Sequence, residues 1–172
     1  METQAAAAEV VQYLGFFVAE AEYAIGILRV REILEYDTVT RVPATPRSIR
    51  GVINLRGRVV PVVDLEVRLG LPESTITKRT CIVVVETELQ GERAVMGVLA
   101  DRVSQVIDLR AEEIEPPPSF GTKLRADCLL GMGRAAGRGF VLLLDIDKVL
   151  STEDLAASPA AAEAPPSTAD VA

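Results

Sequence analysis

A chain of 172 residues with a net charge of −7 has room for one ordinary domain or two very small ones. It is also too acidic for a general nucleic-acid surface, which needs Lys and Arg to replace counterions on phosphates. His is absent and only 4% of the chain is aromatic. The commonest general base and metal ligand is therefore missing, and base stacking on a sheet is disfavoured.

Residues 1–11 are Ala-rich and polar and read as a flexible arm. Glu2 and the lack of basic residues before Ala5 do not fit a signal peptide. No apolar run approaches a membrane span, so the expectation is a soluble, cytoplasmic protein. Residues 13–19 and 22–27 read as paired strands. Ile27, Val30 and Leu34 would share a helical face, but the β-branched surroundings favour a single turn near 28–30 followed by another strand. Residues 36–49, with Pro43 and Pro46, read as an extended loop in which Val39 and Val42 are exposed. The densest aliphatic run follows, from Val52 to Leu65. It is interrupted by Asn54-Leu55-Arg56-Gly57, which predicts a hairpin turning at Arg56-Gly57. A helical turn through 67–69 ends at Gly70 and Pro72.

A second set of strands is expected at 81–86, 94–99, 103–109, 129–133 and 140–146, with a helical turn at 148–150 and a proline loop at 116–118. Residues 156–172 are Ala, Pro, Ser and acidic residues and read as a disordered tail. The two sets look like copies. Arg29-Val30-Arg31-Glu32-Ile33-Leu34-Glu35 matches Arg102-Val103-Ser104-Gln105-Val106-Ile107-Asp108, and Val59 to Leu65 matches Phe140 to Ile146. The offset grows from 73 to 81 residues between these matches, so the second copy carries an insertion. The fold class expected is all-β: two tandem small barrels of four or five short strands each, packed against each other on apolar faces, with short helical turns. The expected boundaries are 12–155 for the folded part, about 12–72 for the first barrel and about 79–150 for the second. Exchange of strands between them at the ends is left open.

Little here suggests catalysis. Asp64 and Asp145 stand at equivalent strand ends, where capping of the helical turns is the simpler reading than acid–base chemistry. The serines have no His to activate them, and the glycines read as turn residues around hairpins. Cys81 and Cys128 read as buried reduced thiols. No metal or cofactor is expected. What remains is binding to other proteins. Arg56 on an apolar hairpin is either a solvated turn residue or a contact, and Phe120 after three prolines is a rigidly presented aromatic.

Five stretches sharpen this reading. They are Glu22-Tyr23-Ala24-Ile25-Gly26-Ile27, the Arg41-Val42-Pro43-Ala44-Thr45-Pro46 loop, Gly51-Val52-Ile53-Asn54-Leu55-Arg56-Gly57, Val60-Pro61-Val62-Val63-Asp64-Leu65 and Gly97-Val98-Leu99-Ala100-Asp101-Arg102-Val103. In this order they resemble the CheW coupling-protein family of bacterial chemotaxis. The resemblance runs from about residue 13 to 155 and implies two tandem five-stranded SH3-like barrels packed on a shared hydrophobic core. It also implies a non-enzymatic scaffold between a CheA-type histidine kinase and the cytoplasmic tips of methyl-accepting chemoreceptors, beneath membrane-bound receptor arrays. By the same resemblance Val30, Glu32, Ile33, Asn54, Arg56 and Val98 would face the receptor. Val39, Thr40 and Phe120 would face the kinase. One departure is Glu115, an acid where some relatives are basic. A coupling role in a chemosensory-like pathway for surface motility or development, or a small-ligand-binding barrel pair, are the alternatives.

Overall fold

The computed structural model describes residues 9–89, 91–116, 128–135 and 139–150. They form eleven strands: β1 (Val11–Val18), β2 (Ala21–Gly26), β3 (Val30–Glu35), β4 (Ile49–Leu55), β5 (Arg58–Val63), β6 (Cys81–Leu89), β7 (Glu92–Ala100), β8 (Arg102–Leu109), β9 (Ile114–Glu115), β10 (Leu129–Ala135) and β11 (Gly139–Leu144). Two short helices, α1 (Leu65–Arg68) and α2 (Ile146–Leu150), follow β5 and β11, and 3-10 turns lie at Ile27–Arg29 and Ala111–Glu113. Residues 1–8, the tail and Phe120 lie outside the described residues, and Val11, read as the end of the arm, already belongs to β1.

The first sheet has the order β3-β6-β7-β5-β4 and the second β8-β1-β2-β11-β10-β9. Each contains one parallel contact, β5 with β7 and β11 with β2. The sheets therefore superpose strand for strand: β3 on β8, β6 on β1, β7 on β2, β5 on β11 and β4 on β10. The duplication in sequence is also a duplication in space, but the copies are not built in tandem. Hairpin β1–β2 belongs to the sheet of the second copy, and hairpin β6–β7 to the sheet of the first. A division near residues 72–79 thus separates the sequence repeats and not the sheets. The chain crosses over at two equivalent places, the Ile27–Arg29 turn and the β7–β8 junction at Asp101.

This exchange explains the continuous apolar strands. In β6, Ile82 and Val84 point to one cluster with Val62 and Leu99, inside the first barrel. Val83 and Val85 point to the other face, into the large core shared with Leu14, Phe16, Ile25 and Leu144. A strand buried on both faces loses the polar alternation of a half-exposed one. A third cluster around Ile107, Leu109, Val141 and Leu143 fills the second barrel.

Two glycines read from sequence as turn residues serve a different purpose. Gly51 and Gly131 sit inside β4 and β10 at equivalent bulges, where the register shifts. A Cβ on Gly51 would collide with the Thr40 carbonyl oxygen and stand 2.8 Å from Val39 Cγ1. One on Gly131 would stand 2.7 Å from the Glu115 oxygen. Both glycines admit a passing strand that closes the barrel: the Thr40–Val52 bridge in the first and β9 on β10 in the second.

The capping expectation for the repeated aspartates agrees with the structure. Asp64 Oδ1 accepts the Glu66 N–H (3.1 Å) and Asp145 Oδ1 the Lys148 N–H (3.4 Å). Both cysteines are free, and only Cys128 is buried; Cys81, on an outer row of β6, is partly exposed.

Candidate functional site: a protein-docking surface

The hairpin β4–β5 turns in two residues, because Leu55 pairs directly with Arg58. Arg56 (φ 54°) and Gly57 (φ 84°) both adopt left-handed backbone. That geometry matches the twist of the strands, and it favours Asn, Asp or Gly at the first position. Arg there is strained, as a Cβ crowds the following carbonyl. Asn54 organises the turn by accepting the Gly57 N–H on Oδ1 (2.8 Å).

From this tip the guanidinium reaches across the open end of the barrel to β3. Nη1 donates to Glu32 Oε2 (2.6 Å) and Nη2 to Oε1 (3.0 Å). A planar fork meets a carboxylate with both arms, the geometry that fixes both side chains. The Arg56 hydrogen bond and charge hold the Glu32 carboxyl below the ordinary glutamate range. Arg56 nevertheless remains 72% exposed, so the pair is displayed rather than buried.

Ile33 is on the opposite face of β3. It begins a row that crosses the sheet through Val83, Val98, Val63 and Ile49. As the edge member it is 44% exposed, whereas Val98 is 1% exposed. Val98 is therefore corrected from a contact to a core residue. Uncovering a side chain of that size would cost about 1.5–3 kcal/mol before any contact formed. Val30 is half-buried against the shared core.

Thr40 is exposed, and its backbone is pinned by paired hydrogen bonds with Val52 (2.9 and 2.8 Å). Val39 beside it is half-buried against the interior of the first barrel, contrary to the exposure expected of it. Val42 is also half-buried; it lines a shallow cleft of about 450 Å³ with Pro43, Pro46, Ile49 and flanking Arg41 and Arg47. Glu115 forms an ion pair with Arg134 on β10, so its negative charge is already partnered within the chain. Phe120 lies outside the described residues.

The structure thus brings Glu32, Arg56 and Asn54 together at one barrel end, with Ile33 on the far face of the same edge and Thr40 on the closing loop. Two further exposed apolar residues, Leu28 on the first crossover turn (93% exposed) and Val59 (52% exposed), do not stand out in the sequence. The repeat carries a signal for Val59 alone. Leu28 stands where the other copy has Asp101, and Val59 is matched by Phe140, itself 49% exposed. Ile33 has the same relation to Val106, 48% exposed on β8. Exposure at the Val59 and Ile33 positions is thus a property of the repeat, because both members of each pair are exposed. The Glu32–Arg56 pair is not, since Gln105 stands at the Glu32 position.

A CheW-like domain model matches residues 12–154, which takes in every strand except the first residue of β1. The chain belongs to the CheW family. It is 41% identical over 145 residues to the chemotaxis protein CheW of Klebsiella aerogenes, covering 84% of each chain. It is 34% identical over 142 residues to the protein FrzA of Myxococcus xanthus, covering 82% of this chain and 86% of that one. Among solved structures, the scaffolding protein TtCheW of Thermoanaerobacter tengcongensis superposes with a TM-score of 0.73 at 28% identity, over 85% of this chain and 91% of that one. Among the described residues no helix is long and apolar enough to cross a membrane, and no cluster of His, Cys, Asp and Glu could hold a metal.

Proposed function

We propose that this CheW-family chain is a non-enzymatic adaptor that couples the cytoplasmic tips of chemoreceptors to a CheA-type histidine kinase in a signalling array. The observation that carries the reading is the Glu32–Arg56 pair: a strained cation held open at a barrel end, in a chain whose family includes chemotaxis proteins and a scaffolding protein. A fold needing only a tight turn would be served better by Asn-Gly. In this role Glu32, Ile33, Asn54 and Arg56, flanked by Val30, face the receptor. A receptor's helical hairpin would lay an apolar stripe against Ile33 and polar groups against the ion pair. Thr40, supported from beneath by Val39, faces the kinase, with Phe120 as the second kinase contact.

The test is a pull-down of the full tagged chain from its native cell. Chemoreceptors and a CheA-type kinase should co-purify; recovery of neither overturns the reading. For the kinase face, Thr40→Arg is the informative variant. Substituting Val39 would disturb the barrel interior as well as any contact, whereas Thr40 projects from a pinned backbone. Thr40→Arg should weaken kinase binding about tenfold by calorimetry with unchanged melting. Wild-type affinity would remove Thr40 from the interface.

The likeness to FrzA supports a second reading for the output, a chemosensory-like pathway controlling surface motility or development. The receptors and kinase recovered in the same pull-down distinguish the two.

A further inference from the structure

Charge is sorted along this chain. Between Thr38 and Val63 stand Arg41, Arg47, Arg50, Arg56 and Arg58 and no Asp or Glu, in a chain whose net charge is −7. Two of these cations are engaged within the fold. Arg50 donates to Asp64 (3.4 Å) and to the Ser74 carbonyl (3.2 Å), and Arg56 grips Glu32. Arg58 belongs to the hairpin, where it pairs with Leu55. Arg41 and Arg47 are exposed on the closing loop. Arg41 reaches only Glu73, at 3.9 Å, and the Arg47 side chain forms no ion pair or hydrogen bond among the described residues.

These two arginines flank the shallow cleft of about 450 Å³ that Pro43, Pro46 and Ile49 line. The loop that forms it is held at several points. Thr40 is bridged to Val52, the Thr45 hydroxyl donates to Val42 O (2.9 Å), and the Ile49 N–H donates to Pro46 O (2.9 Å). Ala44, between the two prolines, is kept in left-handed backbone (φ 65°), where a Cβ crowds the following carbonyl. A loop fixed in this way gives up little freedom when a ligand arrives. An apolar cleft with an unbalanced cation on each side suits an extended segment that is both acidic and apolar.

We propose that the occupant is the chain's own segment 151–172, which docks with its carboxylates against Arg41 and Arg47 and its Ala and Pro side chains against Pro43, Pro46 and Ile49. That segment carries Glu153, Asp154, Glu163 and Asp170 and no Lys or Arg, the complement of the charge between Thr38 and Val63. It also starts close by. α2 ends at Leu150, and the carbonyl of Val149 accepts Arg68 Nε and Nη2 of α1 (3.1 and 2.9 Å). From Arg68 the chain runs to Glu73 at the cleft, a stretch of at most about 18 Å. Residues 151–172 can span about 70 Å when extended, so they reach the cleft with length to spare. An attached segment meets its site at a roughly millimolar effective concentration, which lets a weak ligand fill it ahead of a free one.

Arg41 follows Thr40 directly, so the docked segment borders the loop that carries Thr40. The contact lies between exposed charges, and salt weakens it by shortening their reach. It is made within the chain and does not depend on the adaptor reading.

The test is amide NMR of the full chain beside a full-length variant carrying Glu153→Gln, Asp154→Asn, Glu163→Gln and Asp170→Asn. At low salt the amides of Arg41, Thr45, Arg47 and Ile49 should differ between the two proteins. In about 0.5 M salt the wild-type signals should move onto those of the variant. A synthetic peptide of residues 151–172, added to the neutralised variant, should restore the wild-type positions. Adding Arg47→Gln to that variant should weaken the peptide about two- to fivefold, the worth of an exposed ion pair. Identical cleft amides in the two proteins, shifts confined to other surfaces, or unchanged peptide affinity with Arg47→Gln would overturn the proposal. So would shifts that grow with protein concentration between about 20 and 500 µM, because the occupant would then be another copy of the chain.

Discussion

Asp64→Ala is expected to destabilise the fold by about 3–5 kcal/mol, the range for removing one partner of a buried charged network. The carboxylate is 1% exposed. Oδ1 accepts the Ser74 hydroxyl (2.6 Å) and the Glu66 N–H, while Oδ2 accepts the Ser74 N–H (2.9 Å) and Arg50 Nη1 (3.4 Å). Alanine would leave Arg50, whose side chain is only 15% exposed, with the Ser74 carbonyl alone, and strand the buried serine. A cap lost at a solvated helix end would cost only about 1 kcal/mol. Chemical denaturation distinguishes the two, and a loss of about 1 kcal/mol would mean that Asp64 is no more than a cap. Asp64→Asn, which keeps an acceptor for Ser74, should fall between wild type and alanine.

Gly51→Ala should cost about 2–4 kcal/mol, for a reason in the backbone rather than in lost contacts. The added Cβ would overlap the Thr40 oxygen, and a carbonyl fixed in a two-way bridge has nowhere to retreat. The closing loop would be forced off β4, taking Thr40 and Val39 with it. Melting should drop on the order of 10 °C, with faster exchange at the Val52 amide as the local signature. Gly57→Ala is the comparison. No atom lies within 4 Å of its Cβ position, so its cost would be that of left-handed backbone alone. Equal losses at the two glycines would show that crowding at Gly51 is relieved.

The strands were legible in the sequence because alternation, β-branching and turn residues act locally, and the repeat was legible because its two matches preserve order. The hairpin exchange was not. Whether β1–β2 pairs with β3 or with β8 depends on where the Ile27–Arg29 turn sends the chain, and both partners offer an equivalent apolar row. The bulge glycines were misread for a related reason: a strand passing over Gly51 comes from Thr40, outside any local window. Arg56 and Glu32 were legible as candidates but not as a pair, since 24 residues separate them and only barrel closure brings them together. Val98 was named by resemblance alone, and nothing in its own stretch shows that its row runs from the exposed edge at Ile33 into the shared core.

On the proposed function, the displayed Glu32–Arg56 pair serves receptor coupling rather than folding. Its most direct test is kinase activity in assemblies reconstituted from receptor tips, kinase and adaptor, comparing wild type with Arg56→Ala and Arg56→Asn. Both variants should melt within about 2 °C of wild type, since an exposed pair adds little and Asn suits the turn. Both should also lose receptor control of the kinase by about tenfold or more. Full receptor control by a well-folded Arg56→Asn chain would contradict the account.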